Sequence, residues 1–291
     1  MIGLSAGLEY HQPELNSTKG AVNRAFKTVS IHVSRTPVAM EEKLSFHTAN
    51  GDILSAVLHH PSHSPQGAAI LCHGMESAKN SEKLIFLAQS LAERGVLALR
   101  FDFRYVGESS GKFAEITYSG EVEDLQAAFG FMQSRQPGKT VIFGSSMGGT
   151  VALLFAAQKA NDANVAAVVT LAAPGHPENF PKRVLTPKQL KRWRERGYTT
   201  YNGQRLNVSL LEDLEQLNVP ESARRIRCPV LILHGDADEV VSVAEAYELY
   251  EILTGPKRLS IFKETDHRFS NPFVMRQAMT QALDWLSENV K

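Results

Sequence analysis

Gly144-Ser145-Ser146-Met147-Gly148 sets a serine between two glycines at the spacing G-x-S-x-G. An apolar run, "TVIFGSS", leads into it, and "MGGTVALLFAAQKA" resumes as an apolar-periodic segment. Ser146 therefore sits where a strand hands over to a helix. There, small flanking residues allow a tight, strained turn that presents a hydroxyl as a nucleophile. The helix that follows points its positive N-terminus at the site. Ser145 is expected to face away and serve the turn. A serine hydroxyl needs a base. Of ten histidines, His267 in "KETDHRF" follows the last predicted strand. His73 and His234 also end strands, each before a glycine, and are read as shaping those turns by hydrogen bonding. An acid must orient the base, and "HGDADEVV" offers Asp236 and Asp238. The order Ser146, Asp238, His267 suits a serine–acid–histidine arrangement on an open sheet. Asp266 is the alternative acid, although its place beside His267 points it away. Charge developing on a carbonyl oxygen needs backbone donors. The amide after the serine, Met147, is one candidate. Met75, in the loop after "AAILCHG", is the other.

These residues must be carried to one place. "EKLSFHTANGDILSAVLHHP" reads as two strands around an Asn50-Gly51 turn. Apolar strands and amphipathic helices then alternate to the C-terminus. "SEKLIFLAQSLAERG" is one such helix, with Ser81 as its expected N-cap and Gly95 as its stop. The alternation predicts an α/β fold with a mostly parallel sheet covered on both faces. Ligand sites of such sheets lie at the C-terminal strand ends. One stretch breaks the rhythm. Residues 175–226 are too long for a connecting loop, carry a basic helical run and hold an Asn202-Gly203 hairpin signal. They are expected to form an inserted cap, with residues 40–174 and 227–291 as the core and residues 1–39 as an N-terminal extension.

Bulk composition narrows the partners. With 31 Lys plus Arg against 31 Asp plus Glu, the chain has no net charge to draw it to nucleic acid or an anionic membrane. A hydrophobic share of 43% is that of an ordinary globular protein, and no apolar run reaches membrane-spanning length. The two cysteines, Cys72 and Cys228, fall in no metal-type spacing and are expected as buried free thiols. No secretory signal is read. The stretch from Leu15 to Met40 holds no acid but Lys19, Arg24, Lys27 and Arg35, a composition that organelle transit peptides share. The cytoplasm is the default location.

"HGM", "RFDFRYVGESSG", "GSSMGG", "HGDADEVV" and "TDHRF" occur in the order seen in serine hydrolases of the α/β-hydrolase fold, over roughly residues 40–290, and the chain resembles that superfamily. Within it, the pattern is similar to bacterial carboxylesterases of the feruloyl and cinnamoyl type. "RYVG" stands where that family often has Arg-Gly-His-Gly. Its cap often supplies an acid and a tyrosine to a phenolic hydroxyl, whereas here the early cap carries Lys182, Arg183, Lys188, Lys191, Arg192, Arg194 and Arg196. The resemblance implies hydrolysis of a small-molecule carboxylic ester through an acyl-enzyme, with no metal or cofactor. Ser146, His267 and Asp238 would be the catalytic residues, and the Met75 and Met147 amides the oxyanion donors. Trp193, Tyr198 and Tyr201 are the candidates to line the pocket, beside apolar cap residues such as Phe180 and Leu185. Peptidases, thioesterases and acyltransferases share this machinery. A non-catalytic small-molecule receptor on the same fold is the alternative from another class.

Overall fold

Asn50 and Gly51 turn the chain between β1 (Met40–His47) and β2 (Ile53–His60), with Gly51 at φ +90°. These strands open a computed structural model that describes residues 40–291. The N-terminal extension and its transit-peptide composition lie outside the described residues. β3 (Ala68–Cys72), β4 (Leu97–Phe101), β5 (Thr140–Ser145), β6 (Val165–Leu171), β9 (Val230–Gly235) and β10 (Lys257–Phe262) complete an eight-stranded sheet in the order β1-β2-β4-β3-β5-β6-β9-β10. β1 pairs antiparallel with β2, and β2 antiparallel with β4; every other neighbour is parallel. β3, β4, β5, β6 and β9 are buried almost throughout, as a sheet covered on both faces requires.

Side chains alternate across that sheet. Val141 and Phe143 face a layer that includes Leu84, Leu87 and Leu91 of α1 (Glu82–Glu93) and Ala282 and Leu286 of α9 (Pro272–Asn289). Ile142 faces the opposite layer, with residues of α2 (Tyr118–Arg135), α3 (Met147–Gln158) and α8 (Val243–Ile252). Each fully buried Leu or Phe contributes roughly 1.5–3 kcal/mol of transfer free energy, so the two layers hold the sheet rigid. α3 is buried at every position from Met147 to Ala157, which explains why its sequence is apolar on all sides. α1 begins after Ser81 as predicted, but the Ser81 hydroxyl makes no capping bond; it borders the cleft described below. Cys72 is buried, whereas Cys228 is only half-buried; both are free thiols.

Between β6 and β9 the chain forms α4 (Phe180–Val184), α5 (Pro187–Arg196), the hairpin β7 (Tyr198–Tyr201) and β8 (Gln204–Asn207), α6 (Val208–Gln216) and α7 (Val219–Ala223). Thr186 caps α5 by accepting from the Gln189 amide, and Gly197 at φ +77° ends it. Asn202 (φ 47°) and Gly203 (φ 77°) supply the left-handed pair that a two-residue hairpin turn needs. Trp193, Leu206, Leu210, Leu211 and Leu214 pack this segment onto the core. Its basic run is otherwise solvated, with Lys191 pairing Glu195 and Arg194 pairing Glu215.

Candidate active site

Ser146 is held at φ 51° and ψ −122°, a conformation that costs a non-glycine residue of the order of 1–3 kcal/mol. Close packing enforces it. A Cβ on Gly144 would stand 2.2 Å from the Gly148 carbonyl oxygen, and one on Gly148 would stand 2.3 Å from that of His73. β5 and α3 can therefore meet in so short a turn only because both residues lack side chains. The Ser146 amide donates to the Leu171 carbonyl at 2.7 Å, anchoring the turn to β6.

The Ser146 Oγ lies 3.0 Å from His267 Nε2, and His267 Nδ1 lies 2.8 Å from Asp238 Oδ2. An ionised carboxylate only accepts, so Nδ1 carries the proton and Nε2 presents its lone pair to the serine hydroxyl. The Asp238 side chain is wholly buried. Its Oδ1 accepts from the amides of Val240 at 2.9 Å and Val241 at 2.7 Å. Burial alone would raise this carboxyl. Hydrogen bonds from His234 and His267 and the Val241 amide outweigh it and hold Asp238 well below the usual carboxylate range. The acid thus stays charged beneath the imidazole.

The other two acids turn elsewhere. Asp236 Oδ1 accepts from the Glu264 amide at 2.6 Å. Asp266 accepts from the Ser270 amide and hydroxyl at 2.8 and 2.6 Å. Ser145 borders the same cleft, but the hydrogen bond to His267 belongs to Ser146. His73 shapes its turn: Nδ1 donates to the Gly74 carbonyl at 2.8 Å, and Nε2 accepts from the Phe103 amide at 3.1 Å. Buried Lys79 ties the far end of that loop to Asp102 at 2.5 Å and to Glu108 at 2.7 Å. The loop carrying Met75 is thereby pinned at both ends. Met75 and Met147 both border the cleft at Ser146, and among the described residues neither amide has an acceptor.

His234 has a second role that the sequence reading missed. Besides donating to the Val241 carbonyl at 3.0 Å, its Nε2 stands 3.2 Å from Asp238 Oδ2, with the ring fully buried. Asp238 is therefore gripped by two imidazoles. The spacing His234 to Asp238 was visible, but the reversal of the chain that faces them was not.

The cleft holds about 390 Å³. Tyr118, Pro177, Phe180, Leu210, Val240 and Val241 give it apolar walls. Tyr201 lines it and meets Phe180 edge-on, with ring centroids 5.1 Å apart. Trp193 does not: it is 1% exposed, packed in the core cluster that it shares with Leu206, Leu210 and Leu214. Tyr198 does not either, because it lies on the outer side of the hairpin beneath the Arg205 guanidinium, 4.1 Å from its ring centre. A strand alternates its faces, so Tyr198 and Tyr201, three residues apart, cannot both look inward. Leu185 is likewise absent from the lining. Of the basic run, Arg183 alone borders the cleft, held by Glu245 and by the Val240 carbonyl. Lys83 and Arg268 border it as well, and Glu76 is its single carboxylate among the described residues, hydrogen-bonded by Asn202 at 3.0 Å. Among the described residues no group of three or more His, Cys, Asp or Glu is placed to hold a metal ion. No helix among them is long and apolar enough to cross a membrane.

Residues 63–201 match the family described as serine aminopeptidase, S33. The chain is 22% identical over 255 residues to a monoacylglycerol lipase of Mycolicibacterium smegmatis, covering 78% of this chain and 90% of the relative. It is 24% identical over 210 residues to the mitochondrial palmitoyl-protein thioesterase of Mus musculus, covering 68% of each. Among solved structures, Est1E from Butyrivibrio proteoclasticus with ferulic acid bound superposes with a TM-score of 0.74 at 19% identity, over 85% of this chain and 99% of that one. The chain has the α/β-hydrolase fold: a mostly parallel sheet of eight strands flanked by helices.

Proposed function

On this α/β-hydrolase fold, we propose that the chain is a serine hydrolase of carboxylic esters. The observation that carries the reading is the relay of contacts, Ser146 Oγ to His267 Nε2 at 3.0 Å and His267 Nδ1 to Asp238 at 2.8 Å, with two amides lacking acceptors beside the serine. His267 takes the Ser146 proton as Oγ attacks the ester carbonyl. The Met75 and Met147 amides receive the oxyanion, and a low-polarity site makes such donors effective. The acyl–oxygen bond then breaks, and His267 gives its proton to the departing alcohol. Water, deprotonated by the same imidazole, attacks the acyl-serine and releases the acid. Asp238 keeps the tautomer and stabilises the imidazolium. The segment between β6 and β9 acts as a cap, with Phe180, Tyr201 and Leu210 contacting the substrate's apolar portion.

The match to serine aminopeptidases raises peptide hydrolysis as a second reading. An aminopeptidase must hold a cationic α-ammonium. Here, among the described residues, three cations, Lys83, Arg183 and Arg268, face a single carboxylate, Glu76, that Asn202 already engages. The charge balance favours the ester. The test is a panel of 4-nitrophenyl esters of graded chain length with methyl ferulate, run beside aminoacyl 4-nitroanilides and after treatment with a fluorophosphonate. Ester turnover abolished by labelling at Ser146 supports the reading. Turnover of the anilides alone replaces it with peptidase activity, and absence of both labelling and turnover rejects catalysis by Ser146.

A further inference from the structure

Two cations at one side of the cleft have no carboxylate of their own among the described residues. Lys83, at the start of α1, is half-buried, and its recorded hydrogen bond is a long one, 3.5 Å from Nζ to the Arg268 carbonyl. Arg268, the residue after His267, borders the cleft too. Among the described residues neither forms an ion pair within 4.0 Å. Asp266, the acid whose charge acts on Lys83, is occupied by Ser270. Burial holds the Lys83 ammonium below its usual range, and the neighbouring Arg268 charge adds to that, with Asp266 opposing both. The Ser77 and Ser81 side chains line the same stretch, and among the described residues neither hydroxyl has a hydrogen-bond partner. In a chain of zero net charge this is a local concentration of donors and positive charge with no partner among the described residues.

From this juxtaposition we infer that the cleft takes an ester whose alcohol portion carries an anionic group, a carboxylate being the simplest, held by Lys83 and Arg268. The inference rests on the ester-hydrolase reading. The side follows from the direction of proton transfer. His267 Nε2 must reach the leaving oxygen, so the alcohol portion extends past His267, toward its chain neighbour Arg268 and the Lys83 ammonium that touches that residue's carbonyl. The acyl portion is left to the apolar wall of Tyr118, Phe180 and Leu210. A half-buried ammonium without a partner gains more from an incoming anion than a solvated one does, because less water has to be displaced. Arg183, whose guanidinium is already taken by Glu245, contributes field and no vacant bond.

The experiment compares the butyryl esters of phenol and of 4-hydroxybenzoate, followed by chromatography, with each rate divided by that ester's hydroxide-catalysed rate. The carboxylate ester should show kcat/KM higher by about tenfold, and the ratio should approach one in the double variant Lys83→Gln, Arg268→Gln. It should also decline as salt rises from about 0.02 M to about 0.5 M, since this pair is partly solvated. A wild-type ratio near one, or a ratio unchanged by the double substitution, overturns the inference. So does a preference for a 4-nitrophenyl glutarate monoester over 4-nitrophenyl butyrate unmatched on the alcohol side. If neither phenyl ester turns over, the ester reading itself fails. Calorimetric titration of 4-hydroxybenzoate into the wild-type protein then decides the subsite alone: binding lost on the double substitution supports it, and absent or unaltered binding overturns it.

Discussion

The turn around Ser146 and the segment between β6 and β9 meet across one cleft, and they are held by different means. At the turn, backbone packs on backbone. Gly144 and Gly148 leave no room for a methyl group, the strained serine is tied to Leu171, and α3 is buried on every side. The segment between β6 and β9 rests instead on side chains. Trp193, Leu206 and Leu210 anchor it, and it reaches the rest of the chain through polar contacts such as Asn202 with Glu76, Arg183 with Glu245, and Asp213 with the Tyr118 amide at 2.7 Å. The first construction admits no side chain at Gly144 or Gly148. The second leaves its cleft-facing side chains open to substitution, while Trp193 and the leucines beneath hold it. A region built in the first way suits a reaction centre, and one built in the second way suits the recognition of varied substrates.

The sharpest way to break this contrast is at the serine. Ser146→Ala should lower ester turnover by about 10⁶-fold with the fold intact by circular dichroism, while Ser145→Ala should cost far less. Equal losses at the two positions would mean that the turn as a whole, and not one hydroxyl, carries activity.

Next comes the acid. Asp238→Asn should cost on the order of 10⁴-fold in turnover, because the imidazole loses the acceptor that fixes its tautomer. Asp236→Asn and Asp266→Asn should each cost less than about tenfold, their contacts being to Glu264 and Ser270. The same substitution has a stability signature. The Asp238 carboxyl is held below its unfolded value, so its contribution is present above the ordinary carboxylate range. That contribution is lost as pH falls through the depressed value. Chemical denaturation below about pH 4 should therefore show a shallower acid loss for Asp238→Asn than for the wild type. A steeper loss would contradict the burial and bonding described for this group.

Trp193 tests the other construction. Trp193→Ala should destabilise the protein by about 3 kcal/mol, seen as a lower Tm, and leave the ranking of esters in the panel unchanged. A changed ranking at unchanged Tm would place Trp193 in the substrate's path.

The smallest effect is expected at Phe180, which lines the cleft. Phe180→Ala should alter relative rates across acyl chain lengths by about 10–200-fold at most, the range that a few methylene contacts allow. Its effect on Tm should be smaller than that of Trp193→Ala. If long and short esters lose rate equally, the segment between β6 and β9 does not read the acyl chain.

Much of this was legible before any coordinates. The G-x-S-x-G spacing between an apolar run and a helix, Asn-Gly at two turns, and histidine and aspartate each just past an apolar strand are local signals. Local signals survive into the fold because backbone conformation answers first to neighbouring residues. The alternation of strands and helices likewise implied the parallel sheet. The pocket wall was read less well. Trp193 and Tyr198 looked as available as Tyr201, and Arg183 looked like any other member of a basic run. Which of them faces inward depends on the rotation of a short helix and on the face a hairpin presents, and neither is encoded at a fixed sequence distance.

By itself, then, the sequence determined the turn that strains Ser146, the chain order that sets Asp238 and His267 each just past an apolar strand, and a formal net charge of zero. Tertiary structure alone decided that His234 would join His267 on Asp238, that Asp236 and Asp266 would turn to Glu264 and Ser270, and that Lys83 and Arg268 would meet at the cleft with no ion-pair partner among the described residues. The physical reason is the reach of the interactions. Turn geometry is settled within a few residues by sterics and φ. The partner of a buried charge is settled by which distant segments pack together, as where Asp238 meets His267, 29 residues further along the chain.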